Sequence, residues 1–399
     1  MTGARLILVL CTAEVAGMAG FATFPALLPT FLAEWRLSNT EAGWISGIYY
    51  LGYVGLVPVL VSLTDRVDPR RIYLGAMALS AVAMLAFGLA ATGFWSALGL
   101  RVLAGVGLAG TYMPGLKILS DHIEGPRQSR AIAFYTASFS IGASLSFLLS
   151  GEIAEWLDWR WAFALAALGP AAATALVALT IAPAAPPPEA GTEGHLLDFR
   201  PVFANRRALA YILAYGAHSW ELFAYRSWLV AFLVFSQGLQ RDGGAMWSAT
   251  VIAALVNLLG WPSSVLGNEL ASRFGRARVV ALIMAVSALV AAAIGFSAPL
   301  PYVLVVGLCL LYGVTVIGDS GALTAGAIAE AEPGRRGATM AVHSTVGFSG
   351  AFIGPLVFGV VLDVAGGGAS ALAWGLAFLS MGLGAALGPL AIAVLLRRR

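Results

Sequence analysis

Along its 399 residues the chain alternates long apolar stretches with short polar breaks. Twelve stretches stand out, at about 6–30, 41–62, 71–91, 95–119, 130–154, 161–182, 208–236, 245–266, 278–298, 300–328, 338–363 and 370–395. Each approaches or exceeds the ~20 residues that a helix needs to cross a hydrocarbon core of ~30 Å. The stretches are continuous rather than alternating, which predicts helices and not the strands of a barrel. The first is too long for a signal peptide, carries Glu14 and lacks a small-residue cleavage site. The pattern therefore predicts an all-α membrane protein with twelve transmembrane helices.

Composition agrees with that solvent. The chain is 59% hydrophobic and 11% charged, with a mean hydropathy of +0.86, whereas soluble domains are about one-quarter charged. If both termini are cytoplasmic, 18 of the 23 Lys and Arg residues fall on the inner side and only Arg36, Arg160 and Arg241 on the outer side. That bias follows the positive-inside rule and predicts a bacterial cytoplasmic (inner) membrane protein with both termini inside. The net charge of +3 then reports topology and gives no reason to expect a nucleic-acid partner. Cys11 and Cys309 both lie within apolar stretches, so neither a disulfide framework nor a thiolate metal site is expected. The sequence has no Walker loop, nucleotide motif or zinc-ligand spacing, so no cofactor is expected and neither an ATP-driven pump nor an intramembrane protease is indicated.

Between the sixth and seventh stretches, residues 183–207 are rich in Pro, Gly and charge and read as a cytoplasmic linker. They divide the chain into halves of six spans, 1–182 and 208–399. Short basic turns occupy matching places in the two halves, SLTDRVDPRR at Ser62 to Arg71 and ELASRFGRAR at Glu269 to Arg278, as an internal duplication would produce. These turns, RVLAGVGLA in the fourth stretch with Arg101, Gly105 and Gly107, and DWRWAF at the entry to the sixth, resemble the motifs of the major facilitator superfamily of secondary transporters. The resemblance implies two pseudo-symmetric six-helix halves, alternating access, a small-molecule substrate and a monomer in the bilayer. It also implies a conformational latch at Asp65, Arg66, Arg70 and Arg71, with Arg273 as the second-half counterpart; a solvated loop that balances charge is the other reading of Asp65. Within the superfamily there is a weak similarity to cyanate and nitrate carriers. The Gly-Pro pattern of antiporters is missing from the fifth stretch.

The seventh stretch holds YGAHSWELFAYRSW, Tyr215 to Trp228, with a His, a Glu and an Arg within nine residues. On a helix Tyr215, His218, Glu221, Leu222, Tyr225 and Trp228 share a face. Glu221 lies ~20 Å into a ~30 Å core, where its charged form is disfavoured unless paired. It is a candidate proton carrier, ligand for a cationic substrate, or half of an ion pair, and His218 could relay the proton or bond a carbonyl. Arg226 is expected near the outer end, where it could snorkel or meet substrate. Arg101, with Gly105, Leu108 and Tyr112 continuing its face, is a candidate for coupling or for a structural pair. Glu14 occupies the first span, equivalent to the seventh in a duplicated chain, and Asp319 shares a face of the tenth with Tyr312 and Thr315. The expected function is proton-coupled secondary transport of a small solute, with an anion preferred on account of Arg101 and Arg226. Proton-driven efflux of lipophilic compounds and a receptor that does not transport are the alternatives.

Overall fold

The computed structural model describes residues 2–64, 66–123, 126–183, 199–240, 247–333 and 335–396, and among these every regular element is helical. Among the described residues eleven helices are long and apolar enough to span a bilayer: Gly3–Gly20, Asn39–Val61, Pro69–Ala90, Phe94–His122, Phe134–Trp156, Trp159–Thr180, Ala249–Phe274, Arg276–Gly295, Tyr302–Ala329, Arg336–Val364 and Ala371–Leu396. The twelfth in number, and seventh in order, is the 33-residue helix Arg206–Gly238. It is less apolar because it carries His218, Glu221 and Arg226, yet most of its side chains from Ala208 to Ser236 are buried. It packs against the tenth, eleventh and twelfth spans. Protein rather than lipid surrounds it, and that removes the demand for an apolar surface.

Several spans depart from straight helices. The fourth divides into Phe94–Ala109 and Tyr112–His122. Pro114 has no N–H to give to Gly110 four residues back, and its ring crowds that carbonyl, so the helix breaks there. The first divides into Gly3–Gly17, a tighter turn at Met18–Gly20, and the short pieces Thr23–Ala26 and Leu28–Glu34, with Pro25 and Pro29 among those pieces. The tenth divides at Asp319, between Tyr302–Gly318 and Ser320–Ala329. No proline explains that joint. In the eleventh span Pro355 stays inside a continuous helix, and its carbonyl accepts a bond from Trp228 Nε1 at 3.0 Å.

Both halves repeat the same close approaches. A Cβ added to Gly105 of the fourth span would strike the carbonyl of Tyr49 in the second, and one on Gly313 of the tenth would press on Val256 in the eighth. Gly142 of the fifth span meets Val15 and Met18 of the first, whereas Gly350 of the eleventh meets Gly216 and Trp220 of the seventh. Small residues thus let equivalent helix pairs approach closely, backbone to backbone at Gly105 and Gly350 and against side chains at Gly313 and Gly142. Gly105→Val is expected to cost at least about 1–3 kcal/mol through overpacking, read as a fall in thermal midpoint of the detergent-purified protein; an unchanged midpoint would show that the second and fourth spans can separate freely.

By compactness the chain forms two units that differ slightly from the halves of the sequence. The first is Met1–Leu27 with Ile48–Leu196, and the second is Leu28–Gly47 with Leu197–Arg399. Inside the second unit Asp363, near the end of the eleventh span, caps the start of the second. Its Oδ1 accepts from Asn39 N at 3.1 Å and Asn39 Nδ2 at 2.7 Å, and its Oδ2 accepts from Thr40 N at 2.7 Å and Thr40 Oγ1 at 2.6 Å. The orphan N–H groups of a helix start are satisfied by a carboxylate from a distant segment.

Candidate functional site

In the second unit the polar face of the seventh span divides between the ninth and tenth spans on one side and the eleventh on the other. Towards the ninth and tenth spans, Glu221 Oε1 accepts hydrogen bonds from Ser287 Oγ and Tyr312 OH, both at 2.8 Å. Tyr225 OH donates to the Cys309 carbonyl at 2.8 Å, and its ring stands edge-on to Tyr312. One turn before Glu221, His218 Nδ1 lies 2.7 Å from Asp319 Oδ1, with both side chains at most 2% exposed. The contact is close without the alignment of a full hydrogen bond. Two lone pairs at that distance would repel, so a proton belongs between them. Asp319 stands at the joint between the two helical pieces of the tenth span, so the pair is tied to that joint. Glu221 differs from it. Its two donors are neutral hydroxyls that can orient a carboxyl but cannot neutralise it.

Towards the eleventh span, Tyr215 is stacked on His343, with ring centroids 3.9 Å apart, and on its other neighbour His218 at 5.5 Å. His343 Nε2 is 3.3 Å from Thr324 Oγ1. Two histidines thus flank one tyrosine inside the helix bundle of this unit.

In the first unit Glu14 Oε2 accepts from Tyr135 OH at 3.0 Å, and Tyr135 stacks on Tyr112 at 5.8 Å. Arg101 is buried, its guanidinium carbon 4.2 Å from the centre of the Tyr49 ring and 5.7 Å from that of Phe24.

Other expectations are modified. Arg226 does not snorkel: it is 5% exposed and lies over the Phe223 ring. The seventh span continues to Gly238, so Arg226 sits ~18 Å short of its end. Of the latch residues, Asp65 lies outside the described residues. Arg66 and Arg71 are exposed, and Arg70 Nη2 donates to the Ala178 carbonyl at the end of the sixth span at 2.8 Å. Arg273 pairs within its own helix, with Nε 2.7 Å from Glu269 Oε1. Sequence reasoning missed Tyr135, Ser287, His343 and Asp363. Of these His343 was the most detectable, being a histidine within an apolar stretch, whereas a serine or tyrosine in a membrane helix carries no comparable signal.

Comparison with known proteins decides the lineage. The sequence model of the Major Facilitator Superfamily matches residues 9–355. The chain belongs to the Major Facilitator Superfamily. A superfamily relative, the cephamycin export protein CmcT of Amycolatopsis lactamdurans, is 29% identical over 160 residues, 40% of this chain and 33% of that protein. Protein spinster homolog 1 of Homo sapiens is 24% identical over 214 residues, 52% of this chain and 40% of that protein. The matches thus span well under half the length of either relative. Among solved structures, a bacterial homolog of the human lysosomal transporter Spinster, inward-facing and unoccupied, superposes with a TM-score of 0.76 at 16% identity, covering 98% of this chain and 95% of that one. The nucleoside transporter NupG gives 0.75 at 14%, covering 99% and 100%. At such identities these two establish the superfamily fold and nothing about substrate.

Proposed function

We propose that the chain is a proton-coupled secondary transporter of a small organic solute, working by alternating access, with Glu221 as the proton carrier. The observation that carries this reading is a fully buried carboxyl held by two neutral hydroxyls, one helical turn from the His218–Asp319 contact. Such a carboxyl can gain or lose a proton while keeping its hydrogen-bond partners. His218 and Asp319 serve as the neighbouring proton station, and Tyr225 and Tyr312 hold the geometry of the face. Arg101 and Arg226, both buried, favour an anionic group on the solute. The chain is read as a monomer in a bacterial cytoplasmic membrane, both termini inside, with halves 1–182 and 208–399 joined by the linker 183–207. The basic loop of Asp65, Arg66, Arg70 and Arg71, with Arg273 in the second half, acts as the latch; the Arg70 bond to the end of the sixth span supports that role.

Export of lipophilic compounds by proton antiport is the second reading, favoured by the similarity to a protein named for cephamycin export. Reconstitution into proteoliposomes with an imposed pH gradient separates the two. Accumulation of labelled organic anions with inward proton flow supports symport. Exchange of lipophilic cations against protons supports export, and the absence of gradient-driven movement for both classes would overturn proton coupling.

A further inference from the structure

The first unit contains a cavity of about 20 Å³ bounded by the first four spans, room for about one water-sized particle. Its polar lining comprises Glu14, Tyr49, Ser80 and Thr111. Glu14 Oε2 is engaged by Tyr135, but Oε1 is buried and has no hydrogen-bond partner among the described residues. A lone carboxylate oxygen turned away from water requires compensation, by a proton or by a cation.

The backbone around it favours the cation. The helix Gly3–Gly17 ends at Gly17 and the helix Phe94–Ala109 ends just past Leu108, and both Gly17 and Leu108 line the cavity. The break in the fourth span thus places one helix C-terminus, with its partial negative charge, at the cavity, while the first span carries on through the tight turn Met18–Gly20. Interrupted membrane helices provide ion sites in this manner. Thr111 Oγ1 donates its hydrogen to the Leu108 carbonyl at 3.0 Å, leaving its lone pairs available. Ser80 Oγ lies against Gly107, where any Cβ would collide with it. Arg101 stacks on Tyr49 and is not among the lining residues.

We propose that this cavity binds a single monovalent metal cation of sodium's size, with Glu14 Oε1, Ser80 Oγ and Thr111 Oγ1 among its ligands. One carboxylate balances one charge, and the donors are hard oxygens; a divalent ion would call for more carboxylates. The site lies in the first unit and is separate from the Glu221 group, so it stands or falls independently of proton coupling.

The test is thermal melting of the full-length protein in detergent, titrated with sodium, potassium or choline chloride at constant ionic strength. Sodium is expected to raise the midpoint saturably, with choline inert and potassium weaker. Glu14→Gln should abolish the sodium response and Glu221→Gln should retain it. Should Glu14→Gln fail to fold, Ser80→Ala decides, with an expected loss of affinity of about tenfold. An equal response to sodium and choline, a response to potassium as strong as to sodium, or a sodium response unchanged in the deciding variant would overturn the proposal.

Discussion

Glu221→Gln protein is expected to fold as the wild type does and to lose accumulation driven by a pH gradient, down to the level of empty liposomes. The substitution keeps the shape of the side chain. The amide oxygen can still accept from Ser287 Oγ and Tyr312 OH, the two bonds that hold the carboxyl at 2.8 Å. What disappears is the ability to bind and release a proton. Exchange of labelled solute across a membrane without a gradient should therefore survive, because solute binding and reorientation do not need that proton to move. The pair of measurements separates coupling from binding. A variant that exchanges but does not accumulate supports the carrier role, and one that accumulates normally would transfer it to Asp319, Glu14 or Arg101. A large fall in thermal midpoint would instead assign Glu221 to holding the seventh, ninth and tenth spans together.

Removing Asp319 is expected to have the largest effect on stability. Its contact with His218 is 2.7 Å long with both side chains at most 2% exposed, and removing one partner of a buried pair costs about 3–5 kcal/mol because the other is left uncompensated. Asp319→Ala should thus lower the midpoint sharply. Asp319→Asn should do so less, because its side-chain oxygen can still face His218 Nδ1–H. The double variant His218→Ala with Asp319→Ala should recover part of the loss, by about 0.5–3 kcal/mol relative to additivity. Strict additivity would show that the two side chains are neighbours without energetic coupling.

The sequence reveals much of this architecture because the bilayer restricts what a chain can do. Apolar stretches are local in sequence, and they foretell the spans of a helical membrane protein. The break in the fourth span is legible too, through Pro114, whose missing N–H acts four residues away. The joint at Asp319 leaves no such mark, and the partner that Asp319 meets there, His218, lies about a hundred residues earlier. Glu221 was identifiable from its depth in the core, but its donors Ser287 and Tyr312 come from other helices and carry no charge that would make them conspicuous. The same limit explains why Arg226 reads in the sequence as a residue near the outer end, although it lies buried against Phe223. The burial of the seventh span comes from packing among the tenth to twelfth spans, which the apolar stretch alone does not reveal.

Asp363 and the segment it caps have a consequence for dissecting the molecule. Leu28–Gly47 is encoded in the first half of the chain but packs as part of the second unit. A fragment starting after the linker would contain Asp363 without Asn39 and Thr40, leaving a carboxylate that accepts four hydrogen bonds in the intact chain without those donors. Gly354 and Trp228 of the eleventh and seventh spans would stay, whereas Gly43 and Gly47, which rest against Pro355 and Phe352, would be gone. The halves are thus not interchangeable cassettes: expressed as separate polypeptides they would need co-translation and reassembly in one membrane, and a recombinant splice at the linker would inherit a mismatch at residues 39, 40 and 363 unless those three travel together.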